Sequence, residues 1–171
     1  MEFTGIASYL VSFLTFAGVY AVLALGLNMQ WGFTGQFNIG IAGFFAIGAY
    51  TSALLTTPPP NPALFEDFIF GGDLPARLGT LNAGVDLWFP IALLAAGSIS
   101  GIIAAAIGLV TIRLREDYLA ITTLGIAEAI RLVFLNEKWL ANGSRGLYNI
   151  PKFLGHAIDP SDYNYLYLTT V

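Results

Sequence analysis

The chain has 171 residues, 56% of them hydrophobic and only 11% charged, with seven basic and eleven acidic side chains and a net charge of −4. Soluble domains carry about 25% charged residues, and here no charge falls between Glu2 and Glu66 or between Asp86 and Arg113, leaving uncharged runs of 63 and 26 residues. These numbers exclude a water-soluble globule as the leading reading and point to an all-α integral membrane protein, a polytopic helical bundle.

The chain has no cysteine, which removes disulfides, thiolate nucleophiles and Cys-based metal sites, and its one histidine, His156, cannot form a His cluster. The pI near 4.7 argues against a nucleic-acid footprint. Met1-Glu2-Phe3 offers no basic n-region, so the first apolar segment reads as retained in the membrane.

Residues 5–28 form that first apolar run, and at about 1.5 Å per residue it can cross a hydrocarbon core of about 30 Å. A stretch rich in Gly and amide side chains follows, Met29 to Asn38, and the spacing predicts a second span over 36–57 that stops at Pro58-Pro59-Pro60. The uncharged joint merges into the apolar runs on both sides. It predicts an interrupted second helix with irregular backbone at membrane depth, which is tolerated only where it is buried in protein or lines a cavity. Asn28, Thr34, Gly35, Gln36, Asn38 and Gly40 are therefore the candidates for a translocation pathway, since interrupted helices recur beside such pathways. The alternative is a short interfacial turn with amide caps.

Residues 58–86 read as an external loop with several Gly and Pro. The third span is predicted over 87–112, where Gly97, Gly101, Ala105 and Gly108 recur at a spacing that allows close helix packing. Arg113-Leu114-Arg115-Glu116-Asp117 is a tight charged turn, and the fourth span runs over 118–136. Within it Glu128 and Arg131 share one helix face at i,i+3 and can pair. Glu128 lies about 15 Å from the start of its helix, near the midplane, where ionisable groups face a bundle interior or water. They mark either a polar patch near the pathway or a pair that fixes helix packing.

A second outer loop is predicted over 137–164, containing Asn142-Gly143-Ser144-Arg145-Gly146-Leu147, and another helix starts at 165. Asn142-Gly143-Ser144 also fits the glycosylation pattern, and the glycine-rich joint lacks the Gly-Lys-Ser/Thr ending of a nucleotide-binding loop. A chain that stops seven residues into an apolar helix is expected to be part of a longer protein. The short Arg113–Asp117 turn is placed in the cytoplasm by charge density, although the two long loops together carry more basic residues.

Three segments carry a family resemblance: Ala24–Asn28 with Gly32–Gly40 and Phe44–Tyr50; Arg113–Gly125 with Glu128 and Arg131; and Asn142–Leu147, where Asn142 stands at a position commonly Gly. Together they cover most of residues 5–150, and the chain resembles the branched-chain amino acid ABC permeases of the LivM type. The resemblance implies a multi-pass subunit of an ATP-driven importer in the bacterial inner membrane, translocating neutral or branched-chain amino acids and catalysing no bond chemistry. It implies a second related permease subunit, two cytoplasmic ATPase subunits that bind the ATP, and a periplasmic amino-acid-binding protein touching the outer loops, with Asn142, Gly143, Ser144, Arg145 and Gly146 as the contact. No cofactor is implied for this chain itself. Family members are longer, so the resemblance implies an N-terminal portion. The alternatives are a permease for urea or short amides, a structural membrane subunit with no pathway, and an intramembrane enzyme using Glu128 as base. The last lacks a nucleophile–base pair, a metal cluster and a second buried carboxylate.

Overall fold

The computed structural model describes residues 2–64, 66–79 and 86–151, and among these there are helices and no strands. The helix expected to start at 165, and His156, lie outside the described residues. The elements are α1 (Glu2–Thr34), α2 (Ile41–Thr56), α3 (Leu74–Leu78), α4 (Trp88–Thr111), α5 (Glu116–Asn136) and α6 (Lys138–Ala141). Tyr9–Thr34, Trp88–Thr111 and Asp117–Asn136 are long and apolar enough to cross a membrane, and α2 is apolar but shorter. The protein is a multi-pass helical membrane protein.

The first helix runs six residues beyond the predicted end at residue 28. No proline interrupts Met29–Thr34, and amide side chains do not break a helix. Its stop is set by Gly35, which takes φ 69° and closes the last turn through its N–H to Trp31 O at 3.0 Å. A left-handed residue there is the ordinary helix terminator, and glycine adopts it without a Cβ penalty. The second helix accordingly starts at Ile41 rather than at 36 and is itself continuous; the irregular segment is 35–40. At sixteen residues α2 is about 24 Å long, short of a full crossing. At its far end Thr57 turns extended before the three prolines, as a residue preceding proline must.

The central element is α2, packed between α4 and α5. The contact with α5 is close: a methyl on Gly40 would lie 2.6 Å from Thr123 O, and one on Gly43 would lie 2.8 Å from Ala127 Cα. Only glycine permits these backbones to approach so far. Toward the end of α2 away from the joint, Tyr50 stacks on Phe134 with ring centroids 4.1 Å apart.

The contact with α4 corrects the expectation for its small residues. Gly97, Gly101 and Gly108 have open space where a Cβ would stand, and Gly97, Gly101 and Ala105 are exposed. The seam runs instead through Trp88, Ala92 and Ala96, all buried, and on to Ser100, whose Oγ donates to Phe44 O on α2 at 2.9 Å. The four-residue spacing of small side chains is the one anticipated, but it is offset by one residue, about 100° around the helix.

Candidate translocation site

The α1–α2 joint and the Arg113–Asp117 turn lie at the same end of the bundle, because the chain reverses at each. After Thr34 the chain folds back along α1. Trp31 meets Phe37 edge-on at 4.7 Å, and a methyl on Gly26 would lie 3.0 Å from Ile41 Cδ1. The start of α2 is therefore level with Gly26, eight residues or about 12 Å back from the end of α1. Residues 35–40 run at the depth of the last turns of α1 as an irregular segment, with Gly35 and Ile39 exposed and Gly40 buried.

Such backbone needs partners for its polar groups. Gln36 N donates to Thr34 Oγ1 at 3.4 Å, Ile39 N to Thr123 Oγ1 at 3.2 Å and Gly40 N to Asn38 Oδ1 at 2.8 Å. The hydroxyls and amides of the joint are thus in part caps, which was the more modest reading of this stretch.

They also surround space. A cavity of about 250 Å³ is lined by the polar residues Gln30, Thr34, Gln36, Asn38, Thr111 and Thr123 and by Phe44, Ala104, Ile107, Gly108, Ile112 and Leu119. No charged side chain lines it. Gln30 contributes a buried Oε1 with no hydrogen-bond partner among the described residues. An unpaired buried acceptor costs about 1–3 kcal/mol.

Of the six candidate pathway residues the structure brings three together here: Thr34, Gln36 and Asn38. Gly35 shapes the turn, and Gly40 serves the close contact with α5. Asn28 lines a separate recess with Ala24, Leu27, Trp31 and Gly32. Sequence reasoning missed Gln30, Thr111 and Thr123. The signal was present for the threonines, because they lie near the two ends of the helices that the charged turn joins.

Glu128 and Arg131 form the expected pair, with Arg131 Nε to Glu128 Oε2 at 2.8 Å and Nη2 to Oε1 at 2.7 Å. Neither lines the cavity. The α5 side chains directed at α2 are those of Thr123, Ala127, Ile130 and Phe134, and the pair lies round the helix from them, 52–60% exposed in the chain. It does not pin α5 to any other described helix.

In the outer loop Asn142 adopts φ 61°, is 2% exposed, accepts from Asp67 N at 3.2 Å through Oδ1 and donates Nδ2 to Gly146 O at 3.1 Å. This amide joins the two outer loops, helped by Ile69 N donating to Trp139 O at 2.9 Å and by the Arg145–Asp67 ion pair at 3.3 Å. Buried and bonded at both ends, Asn142 is not placed to accept a glycan. Gly143 is also buried, so of the five residues in the candidate contact loop Ser144 and Arg145 are the exposed ones. Nearby, the hydrogen bond from Tyr148 to Glu66 raises the tyrosine pKa, with desolvation and the Glu66 charge adding to it and Arg145 opposing.

A family model described as a branched-chain amino acid transport system permease component matches residues 9–164. The chain belongs to this family. Among its relatives is the high-affinity branched-chain amino acid transport system permease protein LivM of Salmonella typhimurium, 35% identical over 142 residues, and its Escherichia coli counterpart, 36% identical over 143 residues. Each match covers 83% of this chain and 27% of the relative. The probable LivM permease protein of Methanocaldococcus jannaschii is 32% identical over 140 residues, which are 76% of this chain and 40% of that protein. The chain therefore spans about a quarter of the length of the first two. No solved structure matches it significantly. The matched region contains the joint, the cavity and the Glu128–Arg131 pair.

Proposed function

We propose that this chain forms part of a permease subunit in an ATP-driven importer of neutral and branched-chain amino acids in the bacterial inner membrane. The cavity at the α1–α2 joint carries this reading. Its hydroxyls and amides suit the polar atoms of a small zwitterion, and Phe44, Ile107, Ile112 and Leu119 suit an aliphatic side chain. At about 250 Å³ it lies below the range of about 300–1,000 Å³ typical of drug-sized ligands, as a small metabolite requires. Urea and short amides would leave the apolar lining residues unused, which favours amino acids among the substrates considered. Isolated charged side chains would meet no counter-charge there and pay a desolvation cost.

On this reading the joint end faces the cytoplasm and the loops holding Asn142 and Arg145 face outward, toward a soluble amino-acid-binding protein. ATP is bound by two cytoplasmic partner subunits, and a second related permease subunit completes the pathway. The chain moves substrate by exposing the site alternately and is not an enzyme.

The test is uptake of labelled leucine by cells carrying the complete transporter. Gln36→Leu removes a polar cavity group and should lower uptake at subsaturating leucine about tenfold, the effect of an unmet polar partner, with normal protein levels. Unchanged leucine uptake in Gln36→Leu and Thr34→Val together, at normal levels, rejects the cavity as part of the pathway.

A further inference from the structure

Three of the polar residues around the cavity are threonines, and all three hydroxyls are polarised in the same sense. Thr34 Oγ1 donates to Gln30 O at 2.5 Å, Thr111 Oγ1 to Ile107 O at 3.0 Å and Thr123 Oγ1 to Ala120 O at 3.0 Å. A carbonyl can only accept, so each hydroxyl spends its single proton on its own helix and keeps only lone pairs for other partners. Thr34 Oγ1 uses one of these on Gln36 N, and Thr123 Oγ1 uses one on Ile39 N. Thr111 differs. No described N–H donates to its hydroxyl, although the residue is only 7% exposed and lines the cavity. Its oxygen joins α4 to no other element, so packing alone does not account for a hydroxyl at this position.

The helix ends favour the same sign of charge. The first helix ends at Thr34 and α4 at Thr111, and both terminal residues line the cavity. The first turns of α2 and α5, residues 41–43 and 116–118, do not line it. A helix carries its partial negative charge at its C-terminal turn. A hydroxyl whose proton is already donated is also the better acceptor, because each bond in a chain polarises the next. The cavity therefore offers acceptors and partial negative charge without a full anion. A primary ammonium, with three N–H donors and one positive charge, matches that lining. A carboxylate at the threonines would set acceptor against acceptor. Its partner in the lining is Asn38 Nδ2, the amide end left as a donor when Oδ1 accepts from Gly40 N.

We propose that Thr111, together with Thr34 and Thr123, receives the α-ammonium group of the transported amino acid, and that Thr111 is the residue that selects for it. The proposal rests on the permease reading and adds to it which head group the threonines hold.

Thr111→Val keeps the side-chain shape, breaks no bond between helices and removes the acceptor; Thr111→Ser keeps the acceptor. The assembled transporter is placed in lipid nanodiscs without its soluble binding protein, and binding of labelled leucine is competed with two analogues. Isoamylamine is leucine without its carboxylate, and isocaproate is leucine without its ammonium. The amine should displace leucine from the unaltered transporter better than the acid does. Thr111→Val should weaken binding of leucine and of the amine about tenfold, the loss of one hydrogen bond to a charged group. It should leave the acid unchanged, and Thr111→Ser should bind all three as the unaltered protein does. Equal losses for amine and acid, or no loss for the amine, overturn the assignment. Sodium ions displacing the amine at equal concentration would make this a metal-cation site and overturn it too. If the unaltered transporter neither binds nor takes up leucine, the permease reading fails as well. If it takes up leucine and Thr111→Val changes nothing, the head-group assignment alone is wrong.

Discussion

Gly43→Ala tests the central packing claim with a single methyl group. The added Cβ would stand 2.8 Å from Ala127 Cα, 3.1 Å from Ala127 Cβ and 3.2 Å from Ile130 Cδ1. Carbon atoms pack best at about 3.5–4.0 Å, so α5 must retreat from α2 by about 1 Å. The Ile130 methyl can rotate away, but the Ala127 backbone can only move with its helix. The same retreat lengthens the bond from Ile39 N to Thr123 Oγ1, now 3.2 Å, beyond hydrogen-bonding range. Overpacking of this kind costs about 1–3 kcal/mol and the lost bond about 1 more. A net of about 2 kcal/mol multiplies the unfolded fraction about thirtyfold. The assay is the resistance of the purified transporter in mild detergent to titration with a denaturing one, followed by loss of the α-helical signal. Gly97→Ala and Gly101→Ala are the controls, because both meet open space within this chain. If Gly43→Ala is as stable as the unaltered protein while Gly101→Ala is the damaging one, α4 packs through its glycine stripe and the helix arrangement described above is wrong.

Three further outcomes are expected. Asn142→Ala should destabilise the outer loops by about 2–4 kcal/mol, since it loses two hydrogen bonds and places alanine at φ 61°; Asn142→Gly should cost roughly 1 kcal/mol less because glycine accepts that conformation, and limited proteolysis between residues 137 and 151 reads the difference. Thr123→Val keeps the shape but strands Ile39 N, so it should cost about 1–3 kcal/mol and speed hydrogen exchange at that amide. Spectrophotometric titration of the tyrosines should show one that titrates above the usual value of about 10, and Glu66→Gln should return it to the ordinary range, with Tyr148→Phe identifying it. Because the raised pKa belongs to the folded form, this hydrogen bond supports the loop fully below the unfolded-chain value and is lost as pH rises through the folded one.

The helices were legible because uncharged stretches of this length have few other solutions. Proline marked the C-terminal end of α2 closely, and charge marked both ends of α4. The end of α1 was misplaced because the amides of Met29–Asn38 read as loop residues, whereas a helix accommodates Gln30 and ends only where Gly35 turns left-handed. The ion pair was legible from spacing, since i,i+3 is a local relation. Its facing was not, because which side of α5 meets α2 is fixed by Gly43 against Ala127, 84 residues apart in the chain. The same limit applies to the α4 stripe. Two registers of small residues, Ala92–Ala96–Ser100 and Gly97–Gly101–Ala105, fit one helix equally well, and only the packing against α2, with Ala92 and Ala96 buried and Ser100 bonded to Phe44 O, chooses between them. The cavity was half legible: the joint was visible as a unit, but the rest of its lining comes from two helices more than 60 residues away.

The walls of that cavity are held with unequal firmness, and this connects the packing to transport. Asn38, Phe44, Ala104, Ile107, Leu119 and Thr123 belong to a core in which α2 is bound to α4 and α5 by glycine and alanine contacts, a cross-helix serine bond and a stacked aromatic pair. Gln30 and Thr34 belong to α1, whose contact with that core is confined to the neighbourhood of Gly26–Ile41 and Trp31–Phe37. Opening the site by moving α1 breaks a few contacts near one end. Opening it by moving α5 breaks the Gly40 and Gly43 crossings and uncaps Ile39. On the proposed permease reading, alternating access needs one such wall that yields at low cost and one that keeps the polar groups in register, and the uncharged joint beginning at Gly35 is where a hinge between them would lie.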